Sequence, residues 1–229
     1  MELKIKKKIK KLFYSLTLVH RIFRPIVKKH RDRYRVSRMS NEINKRFPNL
    51  NLDPNGNIID LGANRGDFSV WASSQVKEVY SFEPHPLAFK YLCARVKRLR
   101  NVHCINCAIS NNYGLVPLFL HNEENKDPLA FSISASLSRE KTNVSKSNFV
   151  KCISLPINEI LNMFETIELL KIDIEGAETL LWPEIKVNFK KIKYLLIELH
   201  DSVNPSLRLE VESFINKNDL SESWKSDWL

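Results

Sequence analysis

Glycine is scarce in this chain, five in 229 residues, and that limits the ligand loops it can build. The G-x-G-x-x-G order of dinucleotide enzymes is missing: Asn64 stands where the middle glycine belongs, and Gly66 follows Gly62 after four residues. A nicotinamide dinucleotide is disfavoured on that ground. Cysteine is nearly as sparse (Cys93, Cys104, Cys107, Cys152), and only Cys104 and Cys107 have C-x-x-C spacing. No second C-x-x-C or H-x-x-x-H completes a tetrahedral zinc set. The pair sits in VHCINCAIS, which reads as a strand, where residues three apart point to opposite faces. Reduced thiols in a cytoplasmic protein are the better reading. No apolar run approaches the roughly 20 residues of a membrane span. The start, MELKIKKKIKKLFYSLTLVH, has a basic head, but His20, Arg21 and Arg24 follow at once without a small-residue cleavage site. The chain is therefore expected to stay in the cytoplasm.

Positive charge is abundant and unevenly placed. The formal net charge is +10, yet residues 1–38 hold 14 of the 36 Lys and Arg and only 2 of the 26 acids, leaving 22 bases against 24 acids in the remainder. The body is close to neutral, which disfavours a nucleic-acid partner. Ile5, Ile9, Leu12, Leu16, Val19, Phe23 and Ile26 are spaced by alternating fours and threes, the apolar face of a basic amphipathic helix. Such a helix can lie at the inner face of a membrane, where each Lys or Arg near an anionic surface adds on the order of 1 kcal/mol. It can equally dock on the body or a partner, or contact nucleic acid. The length suits one α/β domain over residues 39–229 with a helical extension over residues 1–38.

The rest is arranged around IIDLGANRG, from Ile58 to Gly66. Its apolar positions, bounded by the turn signal Pro54 to Gly56, predict a buried parallel strand, and FSVWASS from Phe68 predicts the helix after it. Gly62 and Gly66 would let the backbone approach a ligand, with the first N–H groups of the helix facing it. Val76 to Phe82 predicts a second strand stopped by EPHP, with Pro86 in the first turn of a helix to about Arg98. Val102 to Ala108 predicts a third strand, and VPLFLH an added strand or hairpin arm. His121 to Asn148 is rich in Ser, Asn and Lys, the profile of a lid or substrate loop. Strands over Phe149 to Leu155, Leu169 to Ile174 and Tyr194 to Leu199 alternate with helices over Ile157 to Phe164 and Glu178 to Trp182, the latter stopped by Pro183. A last helix opens at Asn204-Pro205 and runs to about Asn218. This order predicts an α/β fold with a doubly wound, mostly parallel sheet.

Glu83 ends the second strand, 23 residues after Asp60, where an acid can hydrogen-bond ribose hydroxyls or cap the next helix. In LLKIDIEGAE, Lys171, Asp173 and Glu175 fall at even spacing on one face of a strand; in LLIELH, Glu198 and His200 do the same. Charges on a strand buried on both faces are costly. Two neighbouring strand ends opening into one crevice would explain them, and so would an ion-pair network around Lys171.

In order, DLGANRGDFS, VYSFEPHPLAFKYL, CAISNNYG, ASLS, ISLPINEIL, LLKIDIEGAETLL and LLIELH resemble the FkbM-type S-adenosylmethionine-dependent methyltransferases, over about Ile58 to His200. The resemblance implies a Rossmann-like class I methyltransferase fold, S-adenosylmethionine as cofactor, and methylation of a hydroxyl on a sugar, glycan or related small metabolite. By it, Asp60, Gly62, Asn64 and Gly66 would surround the methionine part, with Phe68 and Ala108 also touching the cofactor and Glu83 on the ribose. Ser136 and the Asp173 to Glu175 corner would lie near the adenosine or the acceptor. Two departures stand out. Ile157-Asn158 replaces a common Leu-Asp pair, and only 30 residues follow Leu199. The closing C-terminal hairpin is therefore expected to be shortened or absent, with SESWKSDWL supplying one edge strand at most.

A sulfonium methyl is already activated, so such a protein must align an oxygen with it, exclude water and remove a proton. His200 is the first candidate for that base, because imidazole titrates near neutrality, and Asp173 is the second. Asp173, Glu175 and Glu198 offer oxygen ligands that would suit a divalent metal, although no metal is the simpler reading. The (D/N)-P-P-(Y/F) corner of amino-methylating nucleic-acid enzymes is missing. The alternative from another class is a non-catalytic scaffold of glycan assembly, tethered to a membrane surface by its basic helix.

Overall fold

In a computed structural model the protein is described over residues 32–226. The expected basic amphipathic helix built on Ile5 to Ile26 lies outside those residues. The first described element is a helix, α1, over residues 32–46, and its second half belongs to the unit Met39–Leu229. Within that unit Ile43 and Phe47 are buried, and the Phe47 ring meets Tyr194 edge-on at 5.6 Å.

Nine strands follow in two sheets. The larger contains β1 (Asn57–Leu61), β2 (Glu78–Phe82), β3 (Val102–Ile105), β7 (Ile167–Ile172), β8 (Ile192–Ile197) and β9 (Trp224–Ser226), in the order β3-β2-β1-β7-β8-β9. Every pair in it is parallel. The helices α2 (Asp67–Ala72), α3 (Pro86–Val96), α6 (Glu178–Val187) and α7 (Pro205–Lys217) connect consecutive strands. The chain runs outward one way through β1, β2 and β3 and the other way through β7, β8 and β9. The strand order therefore reverses between β1 and β7, and the crevice beyond their carboxyl ends is where ligands of open α/β sheets bind.

Burial explains the sequence pattern. All six residues of β7 are buried, as a strand covered on both faces should be. Ile59, Leu61, Leu170, Ile172, Leu195 and Ile197 join Trp182 and Trp224 in the main core. His85 accepts hydrogen bonds from Leu87 N and Ala88 N and so caps α3, with Pro86 at its first position; Asn204 and Pro205 start α7 in the same way.

The smaller sheet has the order β4-β6-β5, from β4 (Ala108–Ser110), β5 (Gly114–His121) and β6 (Val144–Pro156). It changes two sequence expectations and narrows a third. The strand expected over Val102 to Ala108 is two strands in two sheets: Cys107 N donates to Ile105 O, and the Asn106 side chain donates to Glu83 O at 2.7 Å, a kink that turns the chain out of the main sheet. VPLFLH is a hairpin arm, since β5 pairs antiparallel with β6. The polar loop ends at residue 143 rather than Asn148, because Lys146, Ser147 and Asn148 lie on an exposed stretch of β6 that tolerates polar residues. That loop holds a short helix, α4 (Pro128–Phe131), and a single 3-10 turn (Ser132–Ser134), and α5 (Ile157–Asn162) links β6 to β7.

Three more boundaries move. Strands β7 and β8 end at Ile172 and Ile197, two residues earlier than read, so Asp173, Glu198 and His200 stand beyond the sheet. Helix α6 runs through Pro183: Leu181, Trp182 and Ile185 continue one buried face across it, and that packing outweighs the hydrogen bond the proline removes. At the C-terminal side β9 pairs parallel with β8, so SESWKSDWL contributes one edge strand, and no antiparallel hairpin closes the larger sheet among the described residues.

Candidate active site

Two corners meet at the switch point. After β1, Gly62 N and Ala63 N both donate to Phe82 O, and the chain turns through Gly62 (φ 78°), Asn64 (φ 47°) and Gly66 (φ 79°) into α2. After β7, it turns through Glu175 (φ 60°) and Gly176 (φ 102°) into the short loop before α6. The corners touch: a Cβ on Gly62 would lie 1.7 Å from Asp173 O, so only glycine fits.

Lys171 locks this junction from below. Its buried ammonium donates to Gly62 O at 2.7 Å and stands 3.2 Å from Asp60 Oδ1 and 3.5 Å from Asp173 Oδ2. Burial works against its charge, but Asp60 and Asp173 outweigh that and hold its pKa above the ordinary value. Asp60, fully buried, also accepts from Ser69 Oγ at 2.7 Å.

Beside the corners lies a cavity of about 240 Å³. Gly62, Asn64, Phe68, Glu83, Ala108, Asp173, Glu175 and Glu198 are all in its wall, and Ser132, Ala135 and Leu137 of the polar loop, with Leu118, cover it. The loop is fastened at both sides. Lys141 pairs with Glu175, Ser136 Oγ donates to Glu175 O at 2.5 Å, and the buried pair His85–Glu124 closes at 2.8 Å.

Three of the expected cofactor contacts are placed behind the cavity surface. Asp60, Gly66 and Ser136 are not in the cavity wall. Asp60 points beneath the corner to Lys171 and Ser69. Gly66 is packed against α3, where a Cβ would come within 2.7 Å of Leu92. Ser136 spends its hydroxyl on fastening the loop.

His200 is corrected as the base. Its Nε2 is 3.2 Å from Glu175 Oε2 and its Nδ1 is 3.1 Å from Glu178 Oε1. Burial alone would lower its pKa, but the hydrogen bonds to Glu175 and Glu178 carry it up to about 10. A ring held protonated at neutral pH has no lone pair to offer a hydroxyl proton. Asp173, Glu175 and His200 each bring one ligand-type atom within 4.8 Å of the others. Those places are served by the protein's own cations, however: Glu175 Oε2 meets both Lys141 and His200, and burial of Glu175 is overcome by them so that its pKa is lowered. The donor set does not fit a resident divalent metal without displacing them.

Glu178 is the residue that sequence reading missed. Almost fully buried, its Oε1 accepts from Ile174 N at 3.2 Å, Gly176 N at 3.1 Å and His200 Nδ1, and so holds the corner after β7 in its turned conformation. Its place in the first turn of a helix that follows Asp-x-Glu-Gly was the available signal. Lys141 and Glu124 had none, being single charges in a polar loop.

Glu83 accepts from Asn64 N and His85 N, each at 2.7 Å; burial outweighs these bonds and raises its pKa to about 7. Burial and then the neighbouring Asp173 raise Glu198 to about 7, and burial raises Asp173 as well. Four residues of the wall carry a buried acceptor oxygen with no hydrogen-bond partner among the described residues; Asp67 Oδ1 is ion-paired with Arg95, which leaves Asn64 Oδ1, Asp173 Oδ1 and Glu198 Oε2 unpartnered.

The profile of the Methyltransferase FkbM domain matches residues 60–219. The chain belongs to the FkbM methyltransferase family. Methyltransferase sdnD of Sordaria araneosa is 27% identical over 154 residues, covering 56% of this chain and 60% of that protein, so the match spans less than two thirds of the relative. The crystal structure of Methyltransferase FkbM from Methylobacillus flagellatus KT superposes with a TM-score of 0.50 at 15% identity, over 74% of this chain and 39% of that one. That likeness is one of fold: the FkbM domain here shares its Rossmann-like α/β architecture.

Proposed function

We propose that this FkbM methyltransferase moves the methyl group of S-adenosylmethionine to a hydroxyl of a sugar, glycan or related metabolite. The observation that carries the reading is the set of three unpartnered acceptors, Asn64 Oδ1, Asp173 Oδ1 and Glu198 Oε2, in one cavity wall at the switch point. Leaving a buried acceptor unpaired costs about 1–3 kcal/mol. A ligand with an ammonium group, ribose hydroxyls and a positive sulfonium repays that cost, whereas a scaffold that binds nothing does not. The wall also suits such a ligand by charge, since Asp67, Glu83, Asp173, Glu175 and Glu198 outnumber Arg65 and Lys171.

When bound, S-adenosylmethionine supplies an activated methyl on a cationic sulfur. Gly62, Asn64 and the start of α2 would hold its methionine part, Glu83 its ribose and the Ala108 segment its adenine. Loop residues Ser132 to Leu137 exclude water, which strengthens each charge interaction inside. The same loop would face the acceptor. A screen of tritium-labelled methyl transfer against nucleotide sugars, lipid-linked glycans, polysaccharide fragments and nucleic acid tests the reading. Label is expected in a hydroxyl-bearing glycan or metabolite as an alkali-stable ether; label in nucleic acid or an amine instead would refute it.

No helix among the described residues is long and apolar enough to cross a membrane. We further propose that the cofactor site belongs to residues 39–229 and that residues 1–38 give peripheral contact with an anionic membrane surface.

A further inference from the structure

We propose that Asp173 and Glu198 act as one carboxylate pair that takes the proton of the methyl-accepting hydroxyl; this rests on the hydroxyl-methylation reading above. Strands β7 and β8 are in register as far as Ile172 and Ile197, and Glu198 N donates to Ile172 O at 2.8 Å. The next residue on each strand therefore leaves the sheet at the same level, and both side chains reach the cavity wall. Each offers it a buried oxygen that is unpaired among the described residues, Asp173 Oδ1 and Glu198 Oε2.

The other ionisable groups of the site are engaged. Glu83 accepts two backbone N–H groups, Glu175 is held by Lys141 and His200, and His200 lies between Glu175 and Glu178. The charges facing the pair are Lys171 on β7, Glu175 in the corner after β7, His200 beyond β8, and Glu178 on α6. Lys171 is shared with Asp60, which leaves it only partly available to offset two neighbouring carboxylates. Two such groups with a low-dielectric wall resist double ionisation, so the pair holds on to a proton more readily than an isolated carboxylate. The ionised member faces the incoming hydroxyl.

The step balances without another reactant. The acceptor O–H bond breaks and its proton passes to the carboxylate. The oxygen's electron pair forms the new bond to the methyl carbon, and the pair of the breaking C–S bond stays on sulfur, which leaves as a neutral thioether. The extra proton returns to water when the loop opens.

The pair is tested on the full-length wild type, Glu198→Gln and Asp173→Asn, with circular dichroism confirming the fold. S-adenosylmethionine and S-adenosylhomocysteine are titrated at pH 7 in buffers of different ionisation enthalpy. A sulfonium beside the pair is expected to drive proton release from it, whereas the neutral thioether drives none. Glu198→Gln should still bind both ligands measurably, more weakly for the sulfonium, and lose the difference in proton release. With an acceptor found by the methyl-transfer screen, Glu198→Gln should lower kcat by about 100-fold or more at saturating cofactor and move the acid limb of its pH profile, with part of the rate restored in Glu198→Asp. Equal proton release for the two ligands, an unchanged kcat in Glu198→Gln, or activity abolished by EDTA and restored by Mg²⁺ would overturn the pair. Absence of cofactor binding by the folded wild type would instead sink the methyltransferase mechanism on which it depends.

Discussion

Replacing Glu178 by Ala probes the corner after β7 most sharply. One oxygen of this buried side chain accepts two backbone N–H groups and the imidazolium of His200, and Glu175 between them sits at φ 60°. Truncation leaves two donors, one of them buried, and a partly buried cation short of a partner. Removing one member of a buried charged pair costs about 3–5 kcal/mol. Glu178→Gln keeps the shape and one acceptor, and losing only the charge should cost about 1–3 kcal/mol. With a urea dependence of about 1–3 kcal/mol per molar, Glu178→Ala should lower the unfolding midpoint by about 1–5 M. The pH dependence separates charge from packing. His200 is raised from about 6.5 to about 10 in the fold, so its contribution is complete below about pH 6.5 and fades as pH climbs toward 10. Wild-type stability should fall across that window, and Glu178→Gln should fall less. If Glu178→Ala unfolds within 0.5 kcal/mol of wild type, by the usual spread of surface substitutions, or the pH slopes coincide, the role given to Glu178 is wrong.

Other substitutions bear on the rest of the site. Gly62→Ala places a Cβ 1.7 Å from Asp173 O at a positive φ and should cost several kcal/mol, about 3 or more, in a thermal melt, with cofactor affinity falling too. Lys171→Met leaves Asp60 and Asp173 facing each other without their cation and should destabilise by about 3–5 kcal/mol, read by denaturant unfolding. Lys141→Ala frees one side of the covering loop and should speed cofactor dissociation in stopped flow, and because the pair is largely buried the melting temperature should fall as well. Vesicles with anionic lipid should retain the full chain in a sedimentation assay and release one lacking residues 1–38.

The sequence carried the parts of this fold that depend on strong local signals. Asp60 to Gly66, the EPHP corner and Asn204-Pro205 each combine an apolar run with a turn or cap residue, and each lies where that chemistry requires. It was weaker where tertiary packing decides. Pro183 lies inside α6 because Trp182 and Ile185 are held by the core, and the break at Asn106 depends on a bond to a carbonyl 23 residues earlier. The site was legible as a set of charges but not as pairs. Period-two counting placed Asp173, Glu175, Glu198 and His200 in one neighbourhood. It missed that the strands stop first, that Glu175 turns to positive φ, and that Lys141 arrives from the loop to meet it. Those arrangements decide which carboxylates stay unpaired.

We propose that the cavity between the two corners holds S-adenosylmethionine. Titration calorimetry of the folded wild type and of Glu83→Ala, with S-adenosylmethionine and NAD as ligands, tests it most directly. The wild type should bind one S-adenosylmethionine and no NAD, and Glu83→Ala, lacking the ribose acceptor, should bind about tenfold or more weaker, a loss of about 1.4 kcal/mol or more. A folded wild type that takes up no S-adenosylmethionine, or a Glu83→Ala variant that binds it as tightly, would contradict the claim.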